Sequence, residues 1–154
     1  LSKSLEEIRL TTTVSFHPGV DTDTFDPADL ARAAVRLIEA TASSNATTLI
    51  VQSAHELPER CAGNGEQIYQ LLTRLLSSAM ARTEGGLVAV GVQHVAGPEG
   101  SRAIRYAITD TGAGDCPQQM LACLRDQVSA LGATIHGESA PGIGSCFTLE
   151  IPLR

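Results

Sequence analysis

The sequence predicts an α+β fold: a two-layer α/β sandwich whose mixed, mostly antiparallel sheet is covered by three helices on one face. Three observations carry this prediction. Two pairs of short β-type segments are each joined by a turn rich in Gly and Pro, at 97–100 and at 140–142, and read as hairpins. Three stretches with apolar residues at helical spacing stand before and between these hairpins. Aromatic residues make up 3% of a chain that is 43% hydrophobic, so the core must be aliphatic. A length of 154 residues suits one domain with a sizeable core.

Residues 1–10 read as the end of a helix entering from something upstream, and Thr12 to Phe16 as a polar strand. Pro18-Gly19 and Asp21 to Thr24 form a loop that lacks the later ligands of a calcium-binding hand. The first helix starts with Asp26 as N-cap, Pro27 at the first helical position and Asp29 in the first turn. Leu30, Ala34, Leu37 and Ile38 give it an apolar face, and it ends at Ser43-Ser44-Asn45. Thr47 to Val51 is β-branched and apolar, which predicts a strand, and His55 to Gly65 a loop. Ile68, Leu71, Leu72, Leu75, Leu76 and Ala79 form the most continuous helical face, broken at Glu84-Gly85-Gly86. Val88, Val90 and Val92 alternate, as do Ile104, Tyr106 and Ile108 across the turn. A third helix is expected from about Pro117 to Leu131. The closing hairpin pairs Thr134 to Gly137 with Cys146 to Ile151.

Composition narrows function. A formal net charge of −6, with Lys and Arg scattered, lacks the footprint of a nucleic-acid binder. The apolar runs are too short to span a bilayer, so no direct membrane contact is expected. The chain opens on Leu1 rather than Met and reads as a piece of a longer protein, without a signal peptide. Cys61, Cys116, Cys123 and Cys146 form no CxxC pair, and His17, His94 and His136 show no metal-ligand spacing. Reduced thiols, a cytoplasmic location and no protein-held metal are the expectation. The Gly-Ile-Gly-Ser run at 142–145 lacks the strand-to-helix setting of a nucleophile elbow, and no catalytic triad stands out.

The segment Asp110-Thr111-Gly112-Ala113-Gly114 leaves the end of an apolar strand. A carboxylate there can accept a hydrogen bond from an exocyclic amine, and glycines let backbone approach a flat base. Such a turn also occurs simply as a strand-end turn. Three stretches taken in order, "QIYQLLTRLLSSAMARTEGG" at 67–86, "ITDTGAG" at 108–114 and "LGATIHGESAPGIGSCFTLEIPL" at 131–153, resemble the ATP-binding domain of sensor histidine kinases. That domain belongs to a superfamily shared with gyrase and MutL. The stretches are similar to its asparagine-box helix, first glycine box and closing hairpin. The resemblance covers residues 25–154, with residues 1–24 as a linker from an upstream dimerisation helix, and it implies the ATPase sandwich fold of that family.

The resemblance also assigns roles. Asp110 would read adenine, Gly112 and Gly114 would shape its pocket, and Thr148 would line the floor. Ser78 stands where the family has the asparagine that coordinates magnesium, Arg74 at the neighbouring box asparagine, and Ala81 where a lysine often follows. A hydroxyl is a weaker and shorter ligand for a hard cation. The family's long lid, with a phenylalanine box and a second glycine box, is missing: Asp115-Cys116-Pro117 leads straight into the third helix. His55-Glu56-Leu57-Pro58 resembles the phosphoacceptor box but follows a strand and reads as a surface loop.

Three functions follow as expectations. The first is a degenerate ATP-binding domain of a sensor kinase, holding ATP or ADP weakly, with magnesium only alongside nucleotide. It would act by contact with a response regulator or receiver domain and with its own upstream dimerisation domain. The second is a working kinase domain with a divergent pocket. The third is the docking domain of a histidine phosphotransferase.

Overall fold

The computed structural model describes residues 24–44, 46–54, 56–112 and 118–153. The expected upstream helix end, the strand at Thr12 to Phe16, His17, His55, Gly114 and Cys116 lie outside them. In chain order the elements are β1 (Thr24–Phe25), α1 (Pro27–Ser44), β2 (Thr48–Ser53), β3 (Cys61–Ala62) and α2 (Gly65–Ala81). Then follow β4 (Leu87–Ala96), a short 3-10 turn (Pro98–Gly100), β5 (Arg102–Asp110), α3 (Gln118–Ala130), β6 (Thr134–Ala140) and β7 (Gly144–Pro152).

The five-stranded sheet has the order β2-β4-β5-β7-β6. Only β2 and β4 run parallel; the other neighbours are antiparallel. The α+β sandwich is therefore as the sequence predicts, with three helices on one sheet face. Both hairpins form, β4–β5 and β6–β7, and α1 starts as expected: the Asp29 amide donates to Asp26 Oδ1 at 3.0 Å. Asn64 caps α2 by accepting from the Gln67 amide at 3.1 Å.

Alternation sets the sheet's two sides. Val88, Val90 and Val92, then Ile104, Tyr106 and Ile108, then Phe147, Leu149 and Ile151 all turn inward. They meet Leu71, Leu72, Leu75, Leu76 and Ala79 of α2 and Leu30, Ala34 and Ile38 of α1. Asp110 shares the period of Tyr106 and Ile108, so its side chain also faces inward, at 2% exposure.

Two local expectations are corrected. The 55–65 loop contains β3, which pairs Cys61 with Phe25 and Ala62 with Thr24. A two-residue bridge has no periodicity to read, yet it seats Phe25 in the core. Leu37 is 57% exposed rather than part of the α1 core face. Ala31, Val35 and Ala42 complete that face instead.

Tyr106 joins the layers: its hydroxyl donates to the Pro27 carbonyl at 2.9 Å. Burial, with smaller contributions from Cys61 and Asp26, pushes its pKa well above the ordinary 10.0. The folded state thus holds the proton more tightly than the unfolded chain. This contribution is whole below about pH 10 and is lost as pH rises from there toward the folded value. Urea midpoints should therefore fall between about pH 8 and about pH 11. The fall should be smaller in Tyr106→Phe, which itself costs about 1 kcal/mol at neutral pH. Some slope will remain, because burial also raises Tyr69 and Cys61. An unchanged slope in Tyr106→Phe would refute the assignment.

Candidate functional site

The site lies where β5 ends beside the C-terminus of α2. The carboxylate of Asp110 is fully enclosed and both its oxygens are engaged. Oδ1 accepts from the Gly112 amide at 2.9 Å, which closes the turn on itself. Oδ2 accepts from Arg82 Nη2 at 2.9 Å in an ion pair whose arginine side chain is 13% exposed.

Arg82 is the C-cap residue of α2: its amide donates to the Ala79 carbonyl at 3.2 Å, and the next amide, of Thr83, to the Met80 carbonyl at 3.2 Å. A cation suits this place, because unpaired carbonyls give the helix end partial negative charge. One helical turn back, Ser78 Oγ accepts a short hydrogen bond from Arg82 Nη1. The guanidinium also lies over the Phe147 ring, 5.3 Å from its centroid. Arg82 thus brings together two residues singled out in the sequence, Ser78 and Asp110, and binds both. Spacing along the chain gave no signal of this, because the contact spans 28 positions and depends on the β5–α2 packing.

Gly112 has a different neighbour from the expected flat base. A Cβ there would overlap the Arg82 carbonyl oxygen and lie 3.0 Å from the carbonyl carbon. The residue must be glycine so that the turn can pack on the helix C-cap.

Thr148 is placed away from Asp110. On β7 it pairs with Ala107 and His136, on the face turned away from the helices. The strand's period of two puts Phe147 and Ser145 on the side of Asp110 instead. Ser145 is the direct cross-strand partner of Asp110 and is 4% exposed. Its Oγ, like Arg82 Nε, is buried with no hydrogen-bond partner among the described residues. Sequence reasoning missed Arg82, Ser145 and Phe147. The last two were within reach from strand parity, counted from the partners of Asp110.

Elsewhere, Arg74 leaves the site and donates to Gln127 on α3 at 3.1 Å. His94 and His136 sit on strands, and His136 pairs with Glu138 at 3.1 Å. Glu56 to Pro58 lie in the β2–β3 connection, where Leu57 packs on the core. No helix among the described residues is long and apolar enough to cross a membrane.

No family model matches the chain. A curated relative, the sensor histidine kinase AruS of Pseudomonas aeruginosa, is 32% identical over 142 aligned residues. That alignment takes in 76% of this chain. The chain belongs to the histidine kinase-like ATPase domains. It spans 14% of AruS, so AruS is a much longer protein. Full-length ShkA in complex with AMPPNP has the same fold, with a TM-score of 0.76 at 20% identity over 87% of this chain and 31% of ShkA. ThkA in complex with the response regulator TrrA gives 0.68 at 18% identity over 86% of this chain and 42% of ThkA. These two likenesses are of fold, and they cover the same α+β sandwich described above.

Proposed function

We propose that this histidine kinase-like ATPase domain is degenerate. It holds ATP or ADP weakly or not at all and acts through protein contact in two-component phosphorelay signalling. One observation carries the reading. The β5 strand ends at Asp110 and α3 begins at Gln118, so only residues 111–117 connect them. A phosphate cradle needs a row of backbone amides at a helix start, as in a glycine-rich loop. After Gly114 this connection offers Asp115, Cys116 and Pro117: a negative charge, and a residue with no amide to donate.

Ser78 supports the same reading. Its oxygen, at the position matching the magnesium ligand, accepts from the Arg82 guanidinium. A bound cation would have to displace that group and then be held by one neutral hydroxyl. Without a metal or amides on the phosphates, the electrostatic stabilisation on which phosphoryl transfer depends is missing.

A second reading, a working domain with a divergent pocket, draws on the retained end of the site. Asp110, Ser145 and Phe147 share one face there and could hold a base. The partner we propose is a response regulator or receiver domain, as with ThkA and TrrA, meeting the exposed side of α3 around Arg125.

Calorimetric titration separates the readings. MgATP and ADP are expected to bind more weakly than about 100 μM, with little change in Asp110→Asn. Binding tighter than that, and abolished by Asp110→Asn, would establish the working domain instead.

A further inference from the structure

We infer that Arg82 is a built-in occupant of the Asp110 pocket, a side chain of the protein's own that must leave before a planar amine-bearing base can enter. The inference rests on reading the pocket as a base site, and it names what closes that site.

The guanidinium has the chemistry of the ligand it excludes. It is flat, it donates N–H to a carboxylate, and it stacks on an aromatic ring. A 6-aminopurine shares all three properties. Arg82 uses each of them here: Nη2 donates to Asp110 Oδ2 at 2.9 Å, Nη1 donates to Ser78 Oγ, and the guanidinium covers Phe147. Gly112 donates to Oδ1 and Arg82 to Oδ2, so an exocyclic amine on Oδ2 would compete with Arg82 for that oxygen.

The occupancy is also incomplete. Arg82 Nε and Ser145 Oγ are both buried without a partner among the described residues, the first in the side chain paired with Asp110 and the second on its cross-strand partner. Most buried polar groups in folded proteins are satisfied, so an unpaired pair in one pocket calls for an explanation. A guanidinium satisfies the carboxylate and leaves the neighbouring hydroxyl unused. A purine edge carries both donors and acceptors and could serve the two together. The side chain comes from the C-cap of α2 and is 13% exposed, and Arg82 is not part of the apolar core, so it can be shortened without removing a core residue.

Two consequences distinguish this from a simple structural ion pair. Removing the arginine should create affinity rather than destroy it. The affinity gained should be for the base and, measured with adenosine, independent of magnesium, because adenosine carries no phosphates to hold the ion.

The test titrates adenosine and ADP into the wild type, Arg82→Ala and Arg82→Met, each with magnesium and with EDTA. Arg82→Met keeps an unbranched apolar chain against Phe147 and serves where the alanine variant is too unstable; circular dichroism confirms that each protein titrated is folded. Adenosine is expected to bind the Arg82 variants at least about tenfold tighter than the wild type, equally with magnesium or EDTA. Adding Asp110→Asn should remove the gain. Equal affinity of a folded Arg82 variant and the wild type would overturn the inference, as would a gain that survives Asp110→Asn. The proposed function fails separately, on tight MgATP binding by the wild type. The present inference is decided by the ratio of variant to wild type.

Discussion

Asp110→Ala is expected to destabilise the domain by about 3–5 kcal/mol, because it strands a buried guanidinium. Arg82 would keep only the Ser78 hydroxyl and the face of Phe147, with a side chain 13% exposed. The Gly112 amide would lose its acceptor at the same time. Taking away one member of a buried pair costs far more than replacing both, since the attraction between two desolvated charges mainly offsets their desolvation. The double variant Arg82→Met/Asp110→Leu should therefore recover much of the loss, and the two sites should be non-additive by more than about 1 kcal/mol. Urea denaturation of the four proteins of the cycle provides the measurement. A loss below about 1 kcal/mol in Asp110→Ala would mean that the pair is solvated in solution.

Gly144→Ala should be nearly as damaging, at roughly 2–4 kcal/mol. Its φ of 151° disfavours a side chain, and a Cβ would overlap the Asp110 carbonyl oxygen and lie 3.1 Å from Thr111 Cα. Both neighbours are backbone, so neither can rotate away. β5 and β7 would have to part where Asp110 faces Ser145, which would also loosen the Arg82 contact. Gly142→Ala is the control. Its φ is 79°, but nothing lies within 4 Å of a Cβ there, so only backbone strain of about 1 kcal/mol should appear. Comparable thermal midpoints for the two variants would show that the close approach to β5 does not matter.

Strong periodic signals carried over from sequence to structure. The apolar face from Ile68 to Ala79 is the buried face of α2, and the alternating valines of 88–92 are the inward side of β4. Local side-chain chemistry marked the start of α1, because Asp26 and Pro27 act within a few residues of their own backbone. Where the signal was short or non-local it could not be read. β3 has two residues, and its partner in β1 lies on the far side of α1 and β2. Leu37 has helical spacing to Leu30 and Ala34, yet which flank of a helix finds a partner depends on the other layer.

The same division runs through the site. By itself the sequence determined that a carboxylate stands at a strand end in a glycine-rich turn, close before the third helix; the matching of Ser78 to a metal-ligand asparagine is what the family resemblance implies. The turn is a matter of residue identity and linear spacing, which a single chain displays. The tertiary structure alone decided what the carboxylate holds. Arg82 and Asp110 come together because the C-terminus of α2 packs against the end of β5, and Phe147 arrives from a third element. An ion pair buried in this way depends on which helix end meets which strand end, and periodicity along the chain carries no record of that meeting.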